Sequence, residues 1–176
     1  MKSIEYSLNS ILEWKDTVRA GDALLLSGTI YTARDAAHKK LVASIEANEP
    51  LPFDLENATI YYCGPTPAPE KAVIGSCGPT TSSRMDPYTA RLMQNGVVCT
   101  IGKGERSKSV YQAILEKRGL YLVAIGGCGA LYADAVKSIE EVAYPELGCE
   151  SIKRLEVEGF PVYVAIDTEG NSIFDR

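Results

Sequence analysis

The sequence contains no long hydrophobic run. Its longest apolar stretches, ALLLSGTIY and YLVAIGG, are far shorter than the roughly 20 residues that a helix needs to cross a bilayer. The first ten residues, MKSIEYSLNS, lack the apolar segment of a secretory signal peptide. A membrane partner is therefore not expected, and a cytoplasmic location is the default expectation.

Positive charge is also scarce. The formal net charge is −5, and no basic run extends beyond the short HKK segment. This balance argues against nucleic acid as the main partner, because proteins that bind nucleic acid carry basic patches. Any anionic substrate would have to be bound by a local cluster of arginine and lysine side chains acting against the overall field.

Cysteine pairs with the spacing of a metal or redox motif are missing. Five cysteines are scattered along the chain without a CxxC pair, at positions 63, 77, 99, 128 and 149. Their odd number predicts reduced, mostly buried thiols. An iron–sulfur cluster held by this chain alone is disfavoured, because cluster motifs usually bring at least two ligands from one short loop. The single histidine, His38, has no evident partner for metal binding.

What the sequence does contain is the alternation of strands and helices. The chain has 176 residues, of which 45% are hydrophobic and 23% charged, and this predicts a single globular domain over residues 1–176. Apolar runs predict strands at 22–31, 58–64, 72–78, 97–102 and 120–127, and helical spacing predicts helices at 33–48, 86–96, 107–119 and 131–144. The tail, 152–174, is expected to form strands joined by tight turns, one of them at 167–170. The fold class is therefore a mixed, layered α/β domain.

Three loops after predicted strands combine glycine or hydroxyl residues with a cation. They are SGTIYTARDAAH, with Arg34, Asp35 and His38; GSCGPTTSSRMDP, with Thr80 and Arg84; and IGKGERSKS, with Lys103. Each also has a plain structural interpretation, since Arg34 and Asp35 could be an exposed ion pair, Lys103 a solvated turn residue and His38 a packed core residue. Taken together, three fixed cations beside hydroxyl groups suit a small dianion such as a dicarboxylate.

The same loops lack the groups that complete a catalytic site. IGKGERSKS lacks the first glycine of a Walker motif, and IGGCGAL lacks the GxGxxG pattern of dinucleotide-binding loops. There is also no paired-carboxylate motif and no Ser-His-Asp order. From its spacing, the pattern predicts half of a site.

Seven motifs occur in an order that resembles a known family. They are GDALLLSGTIYTARDAAHKKL, YYCGPTPAP, GSCGPTTSSRMD, IGKG, YLVAIGGCGALYA, ELGCESI and EVEGFPVYVAIDTEGN. Over residues 20–174 the chain is similar to the β subunit, or C-terminal catalytic domain, of the class I iron–sulfur hydro-lyases, which comprise class I fumarases and L(+)-tartrate dehydratase. The resemblance implies a swivelling β/β/α domain. It also implies an oligomeric enzyme with a partner α subunit that carries a 4Fe–4S cluster on its own cysteines, so that none of the five cysteines here would be a ligand.

The resemblance also implies roles for particular residues. Arg34, Thr80, Arg84 and Lys103 would contact the substrate, while Asp35 and His38 lie in the same motif without a clear role. Thr80 would transfer a proton at the substrate carbon, and a carboxylate of the partner would have to activate it, because a threonine hydroxyl is a poor base. The unligated iron would take the substrate hydroxyl as a Lewis acid.

Three alternatives remain at the level of the sequence. TIYTARDAAHKKL and the EVEGFPVYVAID tail are closer to the fumarase branch, which favours fumarate and (S)-malate over L(+)-tartrate. A non-catalytic domain that binds dicarboxylates would not need Thr80. An enzyme with a cysteine nucleophile would need a cysteine in an activating context, and none is evident.

Overall fold

The computed structural model describes residues 4–174, which form seven strands and five α-helices. The strands are β1 (Ile4–Ser7), β2 (Ala23–Thr32), β3 (Thr59–Tyr61), β4 (Cys99–Gly102), β5 (Leu120–Val123), β6 (Val136–Ala143) and β7 (Ile152–Ile166). The helices are α1 (Ile11–Trp14), α2 (Asp35–Glu46), α3 (Asp86–Gln94), α4 (Lys108–Lys117) and α5 (Gly129–Ala135). Short 3₁₀ turns cover Leu8–Ser10, Ser82–Met85 and Pro145–Glu150.

All seven strands belong to one mixed sheet with the order β1-β2-β3-β4-β5-β7-β6. The first five strands are parallel to one another, and β7 runs antiparallel to β2, β5 and β6. Because β7 pairs with both β2 and β5, the pairings of β2, β3, β4, β5 and β7 close into a ring. The predicted α/β class is therefore confirmed as a sheet with helices packed around it.

The alternation of side chains along β3 shows how the core is divided. Tyr61 and Cys63 point into the large apolar cluster that also contains Leu26, Leu122 and Phe160. The neighbouring residues Ile60 and Tyr62 point the opposite way and pack against helices α2 and α3. This period of two is the pattern expected for a strand that is buried on both faces.

Most predicted elements are confirmed to within a few residues, and one predicted strand is wrong. Residues 72–78 form a loop instead, which is fixed to the preceding segment by a hydrogen bond from the Thr66 amide to the Ser76 carbonyl. Gly75 packs so closely against Thr66 that a Cβ atom would overlap the Thr66 carbonyl. Ile74 and Cys77 of this segment are buried in the apolar core, but the segment forms no ladder of strand hydrogen bonds.

The predicted helix at 131–144 is also partly wrong. The helix ends at Ala135, and the chain continues as β6, paired with β7. The register of this pair shifts between Val136 and Ser138 and again between Glu141 and Ala143. Each bulge adds a residue, so that apolar residues three apart can face the same side of a strand, and this mimics helical spacing.

The tail forms one long strand where several short ones were expected. β7 runs unbroken for 15 residues, and Gly159, with φ of +65°, lies where the register to β2 shifts. The predicted turn at 167–170 is confirmed by a hydrogen bond from the Gly170 amide to the Asp167 carbonyl. Within residues 4–174, no helix is both long enough and apolar enough to cross a membrane.

Candidate active site

The candidate site lies at one edge of the sheet, where the parallel strands end. Arg34 follows β2, Gly64 follows β3, Lys103 follows β4 and Gly126 follows β5. Since these four strands are parallel neighbours, their carboxyl ends lie at the same edge. The carboxyl ends of parallel strands are the usual location of binding sites in α/β proteins.

The hydroxyl-rich loop docks onto the middle of that edge. The Thr80 amide donates to the carbonyl of Tyr62 at 2.7 Å, and the Ser82 amide donates to the carbonyl of Lys103 at 2.9 Å. A Cβ atom on Gly102 would overlap the Ser82 hydroxyl and lie 2.7 Å from the Tyr62 ring. The loop can therefore approach the end of β4 only because residue 102 is a glycine.

Two arginines from different loops meet at a shared carboxylate. Arg84 Nε donates to Asp35 Oδ1 at 2.9 Å, and Arg34 Nε lies 3.9 Å from Asp35 Oδ2. Glu150 Oε1 lies 3.1 Å from Arg34 Nε, but the angle is unsuitable for a hydrogen bond, so that Nε remains buried without an acceptor. The Arg84 side chain is 50% exposed and that of Arg34 is 23% exposed. Both guanidinium groups can therefore reach a ligand at the surface.

Glycines make room for two of the cations. A Cβ atom on Gly64 would lie 3.0 Å from Arg34 Cδ and 3.2 Å from Arg34 Nη1. A Cβ atom on Gly126 would lie 3.6 Å from Lys103 Nζ. The Arg34 side chain thus lies across the backbone at the end of β3, and the Lys103 ammonium lies beside the backbone after β5.

His38 is a buried residue beneath the Arg34 loop. Its side chain is fully buried, and its Nδ1 donates to the Arg34 carbonyl at 2.8 Å, next to the helical hydrogen bond from its own amide. Burial lowers the pKa of His38 to about 4, and the charge of Arg106 adds to this effect. The imidazole is therefore neutral near pH 7, with Nε2 unprotonated and without a hydrogen-bond partner among residues 4–174.

Arg106 is a central residue that the sequence did not single out. Its guanidinium is completely buried between the rings of Tyr62 and Tyr121, and its Nε donates to Asp86 Oδ1 at 2.7 Å. Asp86 is the first residue of α3, and its other oxygen accepts the Ser107 amide at 2.6 Å. These contacts join the hydroxyl loop to the Lys103 loop. In the sequence, Arg106 lies in the polar segment GERSKS, which resembles an exposed turn.

The cysteines do not form a site with one another. Cys63, Cys77 and Cys99 are buried and Cys149 is exposed, so burial is confirmed for three of the five thiols. Burial raises the pKa of Cys99 to about 12. Residues 4–174 contain no group of three or more cysteine, histidine or acidic side chains placed to hold a metal ion. Residues 4–174 therefore do not fit an iron–sulfur cluster.

Fold and site together define an α/β protein in which loops carrying Arg34, Thr80, Arg84 and Lys103 lie at the carboxyl ends of the parallel strands. Comparison with known families agrees with this class. The family model described as the C-terminus of fumarase matches residues 1–176, and the chain belongs to that family.

Relatives of two kinds share this similarity. The chain is 44% identical over 155 residues to the aerobic class I fumarate hydratase of Escherichia coli K12, and 40% identical over 158 residues to fumarate hydratase 2 of Leishmania major. These alignments cover 87% and 89% of the chain but only 28% of each relative, so the chain spans a little over a quarter of their length. It is also 39% identical over 181 residues to a putative L(+)-tartrate dehydratase subunit β of Methanocaldococcus jannaschii, covering 98% of the chain and 92% of that relative.

Proposed function

We propose that this chain is the substrate-binding β subunit of a class I fumarate hydratase, which catalyses the reversible hydration of fumarate to (S)-malate. The observation that carries the proposal is the convergence of Arg34, Thr80, Arg84 and Lys103, which come from three separate loops, at one edge of the sheet. The similarity to fumarate hydratases supports the choice of substrate. We further propose that residues 1–176 form one domain of the swivelling β/β/α type.

The proposed roles follow from the chemistry of the side chains. Arg34 and Arg84 bind substrate carboxylates, because a guanidinium presents two parallel donors that match a carboxylate. Lys103 adds a compact charge that stabilises the negative charge building on the carboxylate when the adjacent carbon loses its proton. Thr80 holds or transfers that proton, and Asp35 and His38 support the arginines.

The 4Fe–4S cluster is proposed to lie on a separate α subunit. This assignment rests on the described cysteines, which do not fit a cluster, and on the name of one relative. The putative L(+)-tartrate dehydratase relative, of which the alignment covers 92%, is itself called a subunit β. The steps assigned here concern only the residues of this chain.

L(+)-tartrate dehydration to oxaloacetate is the second candidate. It is favoured by one observation, since a relative that the chain matches over most of both lengths is named as a putative L(+)-tartrate dehydratase subunit β. The cations would bind tartrate and malate through the same two carboxylates, so the cations do not discriminate between the two substrates. A non-catalytic dicarboxylate-binding domain would keep the cations but would have no use for the threonine.

The function can be tested by anaerobic co-expression with a cluster-binding α subunit. We expect fumarate and malate to interconvert in the assembled enzyme, with slower or no turnover of L(+)-tartrate. We expect the chain alone to show no turnover and, after incubation with iron and sulfide, no stoichiometric 4Fe–4S spectrum. Turnover of fumarate without a partner, or a preference for tartrate, would contradict the proposal.

The role of Thr80 can be separated from that of its neighbour. Thr80→Val should lower kcat by about two to four orders of magnitude, the usual range for a positioned acid or base, while substrate binding changes much less. Thr81→Val is the matched control, because Thr81 is an exposed residue of the same loop. The decisive measurement is exchange of the C3 proton of malate with deuterated solvent. Exchange at the wild-type rate in Thr80→Val would show that another group removes the proton.

A further inference from the structure

We infer that Asp35 is a positioning residue that aligns both substrate-binding arginines through their Nε atoms and leaves their Nη atoms free for the substrate. This role rests on the proposed function, because it concerns how the same site holds a dicarboxylate. The observation behind it is the position of the Asp35 carboxylate between Arg84, at 2.9 Å, and Arg34, at 3.9 Å.

The orientation of the contact with Arg84 is the first part of the evidence. A guanidinium can pair with a carboxylate along its Nη1–Nη2 edge or from the side, through Nε. Asp35 takes the Nε hydrogen of Arg84, so the remaining edge can accept a second, bidentate carboxylate. A carboxylate that simply neutralised Arg84 could as well occupy the edge that the substrate needs.

The unpaired atoms around Arg34 are the second part. Among the described residues, Arg34 Nε and Asp35 Oδ2 are both buried without a hydrogen-bond partner, although they lie only 3.9 Å apart. Glu150 Oε1 is nearer to Arg34 Nε, at 3.1 Å, but it forms an ion pair there without a hydrogen bond. A shift of about 1 Å would join Arg34 Nε and Asp35 Oδ2 at normal hydrogen-bond length. Leaving two buried polar atoms unpaired is costly, which favours this closure when a substrate carboxylate fixes the outer edge of Arg34. Asp35 would then bridge the two arginines and set the distance between them.

The backbone holds Asp35 where this bridge requires it. Asp35 is the first residue of α2, and the amino end of a helix favours a negative charge. Arg34, directly before it, is held through its carbonyl by the amide and the imidazole of His38. The carboxylate and one of its two arginines are therefore fixed to the same helix end, and Arg84 reaches them from the hydroxyl loop.

Kinetics of the assembled enzyme distinguish positioning from neutralisation, because the two roles predict opposite changes. Asp35→Asn removes a negative charge next to an anion site. If Asp35 only neutralised the cations, its loss would lower KM for malate. If it aligns them, KM should rise by about tenfold to a hundredfold, as expected for a lost charge-assisted hydrogen bond, while kcat changes less than KM. Asp35→Glu, which keeps the carboxylate, should recover part of the loss.

Glu46→Gln is the matched control, since Glu46 is an exposed acid at the other end of α2. It removes the same charge from the same helix and should leave both KM and kcat unchanged. A KM for Asp35→Asn equal to or below that of the wild type would overturn the inference. So would a rise of equal size in Glu46→Gln.

A second measurement does not depend on catalysis. In the ¹⁵N-labelled chain, the Nε hydrogen of Arg84 should exchange slowly with water because it is bonded to Asp35, and Asp35→Asn should accelerate that exchange about tenfold or more. Fast exchange already in the wild type, or no change in the variant, would overturn the inference. If the assembled enzyme does not hydrate fumarate, the proposed function fails, and the NMR result still decides the arrangement of the arginines.

Discussion

The buried histidine makes the stability of this chain depend on pH in a way that can be calculated. The pKa of His38 is about 4 in the folded chain, against an unperturbed value of 6.5. Between these values the unfolded chain binds a proton at this position and the folded chain does not, so acidification favours unfolding. The contribution of His38 is fully present above pH 6.5 and is lost as the pH falls toward 4. From pH 7 to pH 5 the free energy of unfolding should fall by about 2 kcal/mol through this residue alone.

The measurement can use the single tryptophan as its probe. Trp14 is buried in the core, so its fluorescence should report urea unfolding of the chain at pH 7, 6 and 5. His38→Gln is the control, because glutamine can donate to the Arg34 carbonyl but does not titrate. Carboxylates contribute equally to both proteins, so the difference between them isolates the histidine. Equal losses of stability from pH 7 to 5 in both proteins would refute the reasoning, as would an imidazole that titrates near pH 6.5 in the folded chain.

Two further predictions concern the cations. Arg84→Ala and Lys103→Ala should each lower kcat/KM of the assembled enzyme by about two orders of magnitude, because each removes a charge that pairs with a substrate carboxylate. Lys137→Ala, on the exposed face of β6, should have little effect. Wild-type kinetics in both site variants would contradict the proposed binding of substrate carboxylates by Arg84 and Lys103. Gly64→Ala should raise KM about tenfold without unfolding the chain. The Cβ atom of the alanine would lie 3.0 Å from the Arg34 side chain and displace that side chain. An unchanged KM with an unchanged melting temperature would show that Arg34 does not bind substrate.

The position of the site loops directly after strands could be predicted, because it depends on local sequence signals. Each of the three loops follows an apolar run, and parallel strands joined by helices bring such loops to one edge of a sheet. The sequence therefore placed Arg34 and Lys103 in loops that follow strands, and their common edge follows from the parallel order of β2, β3 and β4. The roles of these residues came from the resemblance to a family, and they remain predictions.

The residues that support the site could not be predicted, because their roles depend on contacts distant in sequence. Glu150 lies 116 positions from Arg34 and reaches it only because a 3₁₀ turn precedes β7. Arg106 is buried only because Tyr62 and Tyr121 come from two other strands and enclose it. The residues next to Glu150 and Arg106 in the sequence do not indicate these contacts, because both segments resemble polar turns.

The acids near the candidate site are paired with arginines, and this pairing bears on where the group that activates Thr80 would be found. Three carboxylates lie near the candidate site, and each is within 3.1 Å of an arginine nitrogen: Asp35, Asp86 and Glu150. Each of the three is therefore engaged by a guanidinium, and no hydrogen bond joins any of them to the Thr80 hydroxyl within residues 4–174. Glu105, which is exposed, lines a separate cleft of about 420 Å³ beside α4. Under the proposed function, the group that activates Thr80 is therefore expected to come from the α subunit.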